Sequence, residues 1–342
     1  MVRQSILPRG WDLKSLAGLL VAVTAIGFLG TWLVSRFATL GNSTAEAEQA
    51  TLTAAPINGE RAYGYLKQIC AIGPRPAGTP ANTKQRELVA EHFKKYGAEV
   101  REQPFNGRDP RTGRPVAMVN LIGSWFPDRN ERVLIAAHYD TRPFPDRDPD
   151  PEKRRAAFLG ANDCASGVAL LMELAHHMNE STTPWGVDLV LLDGEELVYD
   201  QVGVYFLGSK AFGAAYKADR RKGKTKTKYM AGIVLDMVGG RELELPKEPY
   251  SMDLAPQLVR TVWKVAERVD ATAFLDRGGD RVMDDHLALN DAGIPTIDII
   301  DFHYPAWHTA DDTPEQCSPA SLAQVGKVLS AWLSLPKPRT RR

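Results

Sequence analysis

Imidazole and carboxylate groups recur in this sequence just beyond short apolar runs, and groups of these types can move protons or hold a metal ion. His138-Tyr139-Asp140 follows the run at 133–137, and Gly160-Ala161-Asn162-Asp163 comes after a long loop and leads into a helical pattern. Asp193-Gly194-Glu195-Glu196 follows 187–192, Asp236 ends the run that begins at 233, and Trp307-His308-Thr309 lies beyond 296–300. Taken singly, each has an ordinary reading. A His after a strand is usually a structural hydrogen-bonder, a Glu-Glu pair a solvated loop, and Asp163 before a helical run fits an N-cap. Five such groups, each behind an apolar strand, are harder to explain that way. Carboxylates gathered at one sheet edge repel one another unless a cation neutralises them. Zinc accepts nitrogen and oxygen donors and keeps an open position in catalytic sites. The expectation is a zinc site.

Other chemistries lack their signatures. The sequence holds no H-E-x-x-H, G-x-S-x-G or P-loop, and no G-x-G-x-x-G after a strand. Cys164 adjoins Asp163, but nothing marks it as a nucleophile with a dedicated base, and Cys70 and Cys317 read as packed residues. Three cysteines are too few for a disulfide framework, although an exported domain could still bridge two of them. The 42 Lys+Arg balance the 42 Asp+Glu, so the basic excess that phosphate binding requires is missing and no nucleic-acid partner is expected.

The elements that must position these groups alternate. Helical spacing runs over 60–72 and 83–96, the latter led by Thr79-Pro80. Apolar, β-rich runs follow at 117–122, 133–137, 187–192 and 233–236, with helical patterns at 167–178, 209–216 and 255–269. A last strand at 296–300 precedes a final helix at 319–333. Strands alternating with helices imply an α/β fold with a mostly parallel sheet covered on both faces. Such sheets carry their sites at the carboxyl ends of the strands. At 342 residues the chain could hold one large domain of this kind or two small ones.

The neutral average hides one uneven segment. Residues 15–35 carry no charge, about the length of a helix that crosses a bilayer, with Trp11 and Trp32 near its ends. Arg3, Arg9 and Lys14 precede it against Asp12 alone, which by the positive-inside rule places residues 1–14 in the cytoplasm. A cleavable signal peptide has a shorter apolar core and a better cleavage site than Phe37-Ala38-Thr39, and a buried helix need not be apolar on all faces. The expectation is a single uncleaved anchor in the lipid bilayer. A polar linker at 36–59, an extracytoplasmic catalytic domain at 60–336 and a short basic tail at 337–342 would follow it.

Six motifs in order, His138-Tyr-Asp140, Gly160-Ala-Asn-Asp163, Asp193-Gly-Glu-Glu196, Asp236, Asp284-Asp-His286 and Trp307-His-Thr309, resemble the zinc aminopeptidase family that also contains the glutaminyl-peptide cyclotransferases. The resemblance spans roughly residues 60–335 and implies a three-layer α/β sandwich, of the zinc-aminopeptidase/phosphorylase-like kind, around a central mixed sheet. It implies Asp163, Glu196 and His308 as zinc ligands and Glu195 as general acid/base. It places His138 and Asp236 at a second metal in the aminopeptidases, or in a hydrogen-bond network beside a single zinc in the cyclases.

Three features lean toward the cyclases: the long loop with Pro143-Phe144-Pro145, Asp284 before Asp285-His286, and Trp307 before His308, after Tyr304-Pro305, like an aromatic wall. Two depart from them. Asn162-Asp-Cys-Ala-Ser-Gly167 is closer to the aminopeptidases, and Ala137 stands where a bridged cysteine precedes the histidine in animal cyclases. The implied activity is conversion of a peptide's N-terminal glutamine to pyroglutamate with release of ammonia, Glu195, Asp236 and Asp284 acting on the substrate and Trp307 and Tyr304 lining it. The rival is an aminopeptidase that uses the same residues with two zincs and releases N-terminal residues. A catalytically inactive ectodomain on the same fold would lack ligands, and none is missing.

Overall fold

The structure is a computed structural model that describes residues 55–199 and 202–337. The expected membrane segment at 15–35 lies outside the described residues, as do most of the linker and of the basic tail. Among the described residues no helix is long and apolar enough to cross a membrane.

Helices α1 (Gly59–Cys70) and α2 (Pro80–Lys95) open the domain, capped by Asn58, which accepts from Arg61 N–H, and Thr79, which accepts from Asn82 N–H. Strands β1 (Glu99–Arg108), β2 (Pro115–Trp125) and β3 (Glu131–His138) follow, then α3 (Gly167–His177) and β4 (Gly186–Leu192). Two-residue strands β5 (Val198–Tyr199) and β6 (Val202–Gly203) pair beyond β4 and precede α4 (Leu207–Arg221) and β7 (Lys228–Asp236). The chain continues through β8 (Leu245–Lys247), α5 (Pro249–Leu254), α6 (Pro256–Arg268) and β9 (Phe274–Gly278). It then forms α7 (Asp285–Asp291), β10 (Thr296–Ile300) and α8 (Pro319–Leu333).

Six strands make one sheet in the order β1-β2-β4-β3-β7-β10. β4, β3, β7 and β10 run parallel, while β2 is antiparallel to both β4 and β1, so the sheet is mixed. The central strands are mostly apolar because both of their faces are covered, and the buried acid Asp188 of β4 is ion-paired with Arg132 of β3. Along β3, Val133, Ile135 and Ala137 face the larger core with α1, α2, α3, α6 and α8, while Leu134 and Ala136 face a smaller one with Phe212 of α4 and Leu289 of α7. Three layers result.

β1 was absent from the expected elements. Its Glu-Val-Arg-Glu-Gln-Pro-Phe-Asn-Gly-Arg has few apolar residues because it is an exposed edge, paired only to β2. Cys70, Cys164 and Cys317 are all buried free thiols.

Candidate metal and catalytic site

Parallel strands end together, and the groups singled out above meet there. His138 is the last residue of β3, Asp236 the last of β7, Glu195 and Glu196 lie just past β4, and His308 lies past β10. Asp163 also follows β3, through a loop, so four strands rather than five carry the five groups. That loop turns at Gly160, whose φ is +56° and where a Cβ would collide with the Asp163 carbonyl.

His138 Nε2 lies 3.2 Å from Asp163 Oδ1 and 3.4 Å from Asp236 Oδ1. His308 Nε2 lies 2.8 Å from Glu196 Oε1 and 3.3 Å from Asp163 Oδ2. Asp163 therefore offers one oxygen to each imidazole and joins two groups, His138/Asp163/Asp236 and Asp163/Glu196/His308, each with its ligand atoms within 4.8 Å of one another. The ordinary reading of Asp163 as a helix cap does not hold. Ser166 stands at the cap of α3, and the Asp163 carboxylate faces the two rings.

The protonation of these groups carries the same message. Burial opposes charge on His308, yet Glu196 and Asp163 push it up to about 9. Burial likewise opposes charge on His138, yet the Cys164 sulfur, Asp163 and Asp236 raise it well above the usual histidine range. Asp163 is held low, against its own burial, by both imidazoles. Protons thus occupy the place that a cation would take, and metal binding would displace them. Glu196 Oε2 and Asp236 Oδ1 are buried and make no hydrogen bond, which also fits a metal ligand. The Nδ1–H of His138 donates to the Asp140 carbonyl at 3.1 Å, turning Nε2 toward the ligands. By donor type and orphaned oxygens, these residues fit zinc.

Two buried acids fix the backbone from which the ligands hang. Asp140 accepts from the N–H groups of Glu195 and Glu196, both at 3.0 Å. Asp312 accepts from the N–H groups of Asn162 at 2.8 Å and Asp163 at 3.1 Å. Tyr304, expected to line the substrate, is buried and donates its hydroxyl to Asp312 at 2.8 Å. Trp307 is half-buried, its ring 4.4 Å from that of His308 and 4.8 Å from Phe302.

The His138 side is crowded with acids. Glu195 Oε2 lies 4.0 Å from His138 Nδ1, and burial lifts its carboxyl well above the usual range, with Glu196, Asp284 and Asp285 adding to the rise. Burial also pushes Asp236 up to about 7. Asp284 is buried rather than a solvated loop acid and caps α7 by accepting the Asp285 N–H. Behind it His286 is fully buried, Nε2 3.4 Å from Glu248 and Nδ1 3.8 Å from Asp298.

Sequence reasoning missed Arg142, Asp146, Asp298 and Asp312. Asp298 had a legible signal, an acid inside the apolar run Thr-Ile-Asp-Ile-Ile. Arg142 and Asp146 stand four apart in a loop, and Asp312 follows His308 closely, but local spacing does not say what such groups face.

Residues 120–333 match the family described as Peptidase family M28. A glutaminyl cyclase of Fimbriiglobus ruber is 41% identical, with a TM-score of 0.81 over 83% of this chain and 97% of that one. A leucine aminopeptidase precursor of Bacteroides thetaiotaomicron is 32% identical, with a TM-score of 0.76 over 84% of this chain and 100% of that one. The mouse (Mus musculus) glutaminyl-peptide cyclotransferase-like protein is 23% identical over 83% of this chain and 77% of its own. The relatives thus include both glutaminyl cyclases and peptidases on one fold.

Proposed function

The chain belongs to peptidase family M28, and from that premise we propose that it is a zinc-dependent glutaminyl-peptide cyclotransferase. The observation that carries this reading is the aromatic wall: Trp307 lies 4.4 Å from the candidate ligand His308, backed by Phe302. The likeness to a glutaminyl cyclase at 41% identity supports it.

Asp163, Glu196 and His308 would hold the metal, whose chemistry is that of a Lewis acid toward the substrate's side-chain carbonyl. The substrate's α-amine attacks its own γ-carboxamide carbon. The ring C–N bond forms and the side-chain nitrogen leaves as ammonia. Glu195, with its raised pKa, takes the proton from the amine and returns it to the departing nitrogen. Asp236 and Asp284 orient the amine, and Trp307 keeps water from competing. No external nucleophile is needed.

A second reading has its own support. The Asp163 carboxylate lies between two imidazoles, as a bridging ligand would in a two-metal aminopeptidase that activates water. Incubating the chain with a glutaminyl peptide and an alanyl peptide, followed by mass spectrometry, separates the two. Loss of ammonia from the first peptide alone supports the cyclase. Release of free amino acids by a chain carrying about two zincs would sink it.

We also propose that residues 15–35 anchor the domain in a bilayer, with the catalytic part outside the cytoplasm. Extraction of the chain from membranes by high salt without detergent would contradict this.

A further inference from the structure

A buried cation stands directly behind the metal-type ligands. Arg142 is 2% exposed. Its Nε and Nη2 donate to the two oxygens of Asp146 at 2.7 and 2.9 Å, and its Nη1 donates to Glu196 Oε1 at 3.2 Å. Nη2 also reaches the Tyr205 hydroxyl at 3.3 Å. Asp146 in turn faces the other ligand, its Oδ1 3.9 Å from His308 Nδ1. One Arg–Asp pair thus backs two of the three candidate ligands.

The atoms left over are informative. Glu196 Oε2 and His308 Nδ1 are buried without a hydrogen-bond partner. Arg142 engages Oε1 of Glu196, the same oxygen that lies 2.8 Å from His308 Nε2, while Oε2 has no partner. The carboxylate behind Nδ1 of His308 is Asp146, 3.9 Å away and beyond hydrogen-bond reach, so it acts on the imidazole through its charge. The loop cannot drift from the ligand. Arg147 N–H donates to the His308 carbonyl at 3.1 Å, and Asp148 accepts from Ala310 N–H at 2.9 Å. Because Arg142 and Asp146 oppose each other in sign, the pair adds direction rather than net charge. A free carboxylate can ligate through one oxygen or two and turn between the two modes, and a charge-assisted hydrogen bond to Oε1 limits that turning.

We propose that Arg142 and Asp146 are positioning residues for the metal site. Arg142 fixes the orientation of the Glu196 carboxylate, and Asp146 holds Arg142 in place and sets a negative charge behind His308. This rests on Asp163, Glu196 and His308 being the metal ligands, but not on whether the reaction is cyclisation or hydrolysis.

The test uses the full chain and its Arg142→Gln, Arg142→Lys and Asp146→Asn variants. Zinc affinity is read by competition with a chromophoric chelator, geometry by the visible absorption of the cobalt(II)-loaded protein, and folding by melting of the metal-free protein. Arg142→Gln and Asp146→Asn are expected to weaken zinc binding by about 10- to 100-fold. Arg142→Gln should also change the cobalt bands, as the Glu196 carboxylate becomes free to turn between ligation modes. Arg142→Lys should recover part of the affinity without restoring the spectrum. Wild-type zinc affinity and cobalt absorption in both Arg142→Gln and Asp146→Asn would overturn the proposal and leave the pair a structural ion pair. Should Arg142→Gln fail to fold, the milder Asp146→Asn alone decides. A wild-type chain that binds no zinc would overturn the ligand assignment and the proposal with it.

Discussion

His138 and His308 share one carboxylate, Asp163, yet they stand in opposite surroundings. Behind His308 and Glu196 lies Arg142, bonded to Asp146, so the ligands on that side rest on a charge-balanced pair. Behind His138 and Asp236 lie Asp284, Asp285 and Asp298, with the buried imidazole of His286 next to Asp298. Burial pushes both Asp236 and Asp285 up to about 7, so near neutral pH these groups share protons. Two triads of the same residue types are therefore not equivalent. On the proposed function, one would present fixed ligands and the other would supply protons that a reaction can move, unless a second cation takes their place.

Removing one imidazole at a time is the most severe test of that asymmetry. His308→Ala should abolish tight zinc binding and lower turnover by about 10⁴-fold or more, whereas His138→Ala should keep a zinc and lose about 10- to 100-fold. Equal losses of metal from both variants, by metal analysis after dialysis, would erase the distinction. Glu195→Gln should cut turnover by about 10²- to 10⁴-fold while zinc content stays unchanged, since the role proposed for Glu195 is proton transfer and not ligation. Unchanged turnover would refute its role.

The gentlest test is titration. With His308 raised to about 9 in the metal-free protein, zinc must displace a proton at any lower pH. Apparent zinc affinity should therefore fall by about tenfold per pH unit, for each proton displaced, as the pH drops below about 9. A flat profile would show that the imidazole is already neutral there.

Much of this site was legible in the residue order. Completely buried parallel strands are mostly apolar, so the polar groups clustered just beyond 133–137, 187–192 and 233–235 stand out at short range. The shared edge follows from parallel topology. Edge strand β1 was not legible, because an exposed strand need not be apolar. Asp298 was passed over because it sits within a run counted as strand.

The sequence by itself determined the ligand types, the order in which they arrive and the sheet that gathers them, because those depend on local periodicity and on which residues must be buried. Only the tertiary structure decided which oxygen meets which nitrogen. Asp163 became a bridge rather than a cap because the loop from β3 carries it between His138 and His308. Tyr304 went to Asp312, and Arg142 to Glu196, through contacts between segments far apart in the chain. Such pairings are set by packing and by the requirement that each buried polar group find a partner, and neither is encoded within a short stretch of sequence.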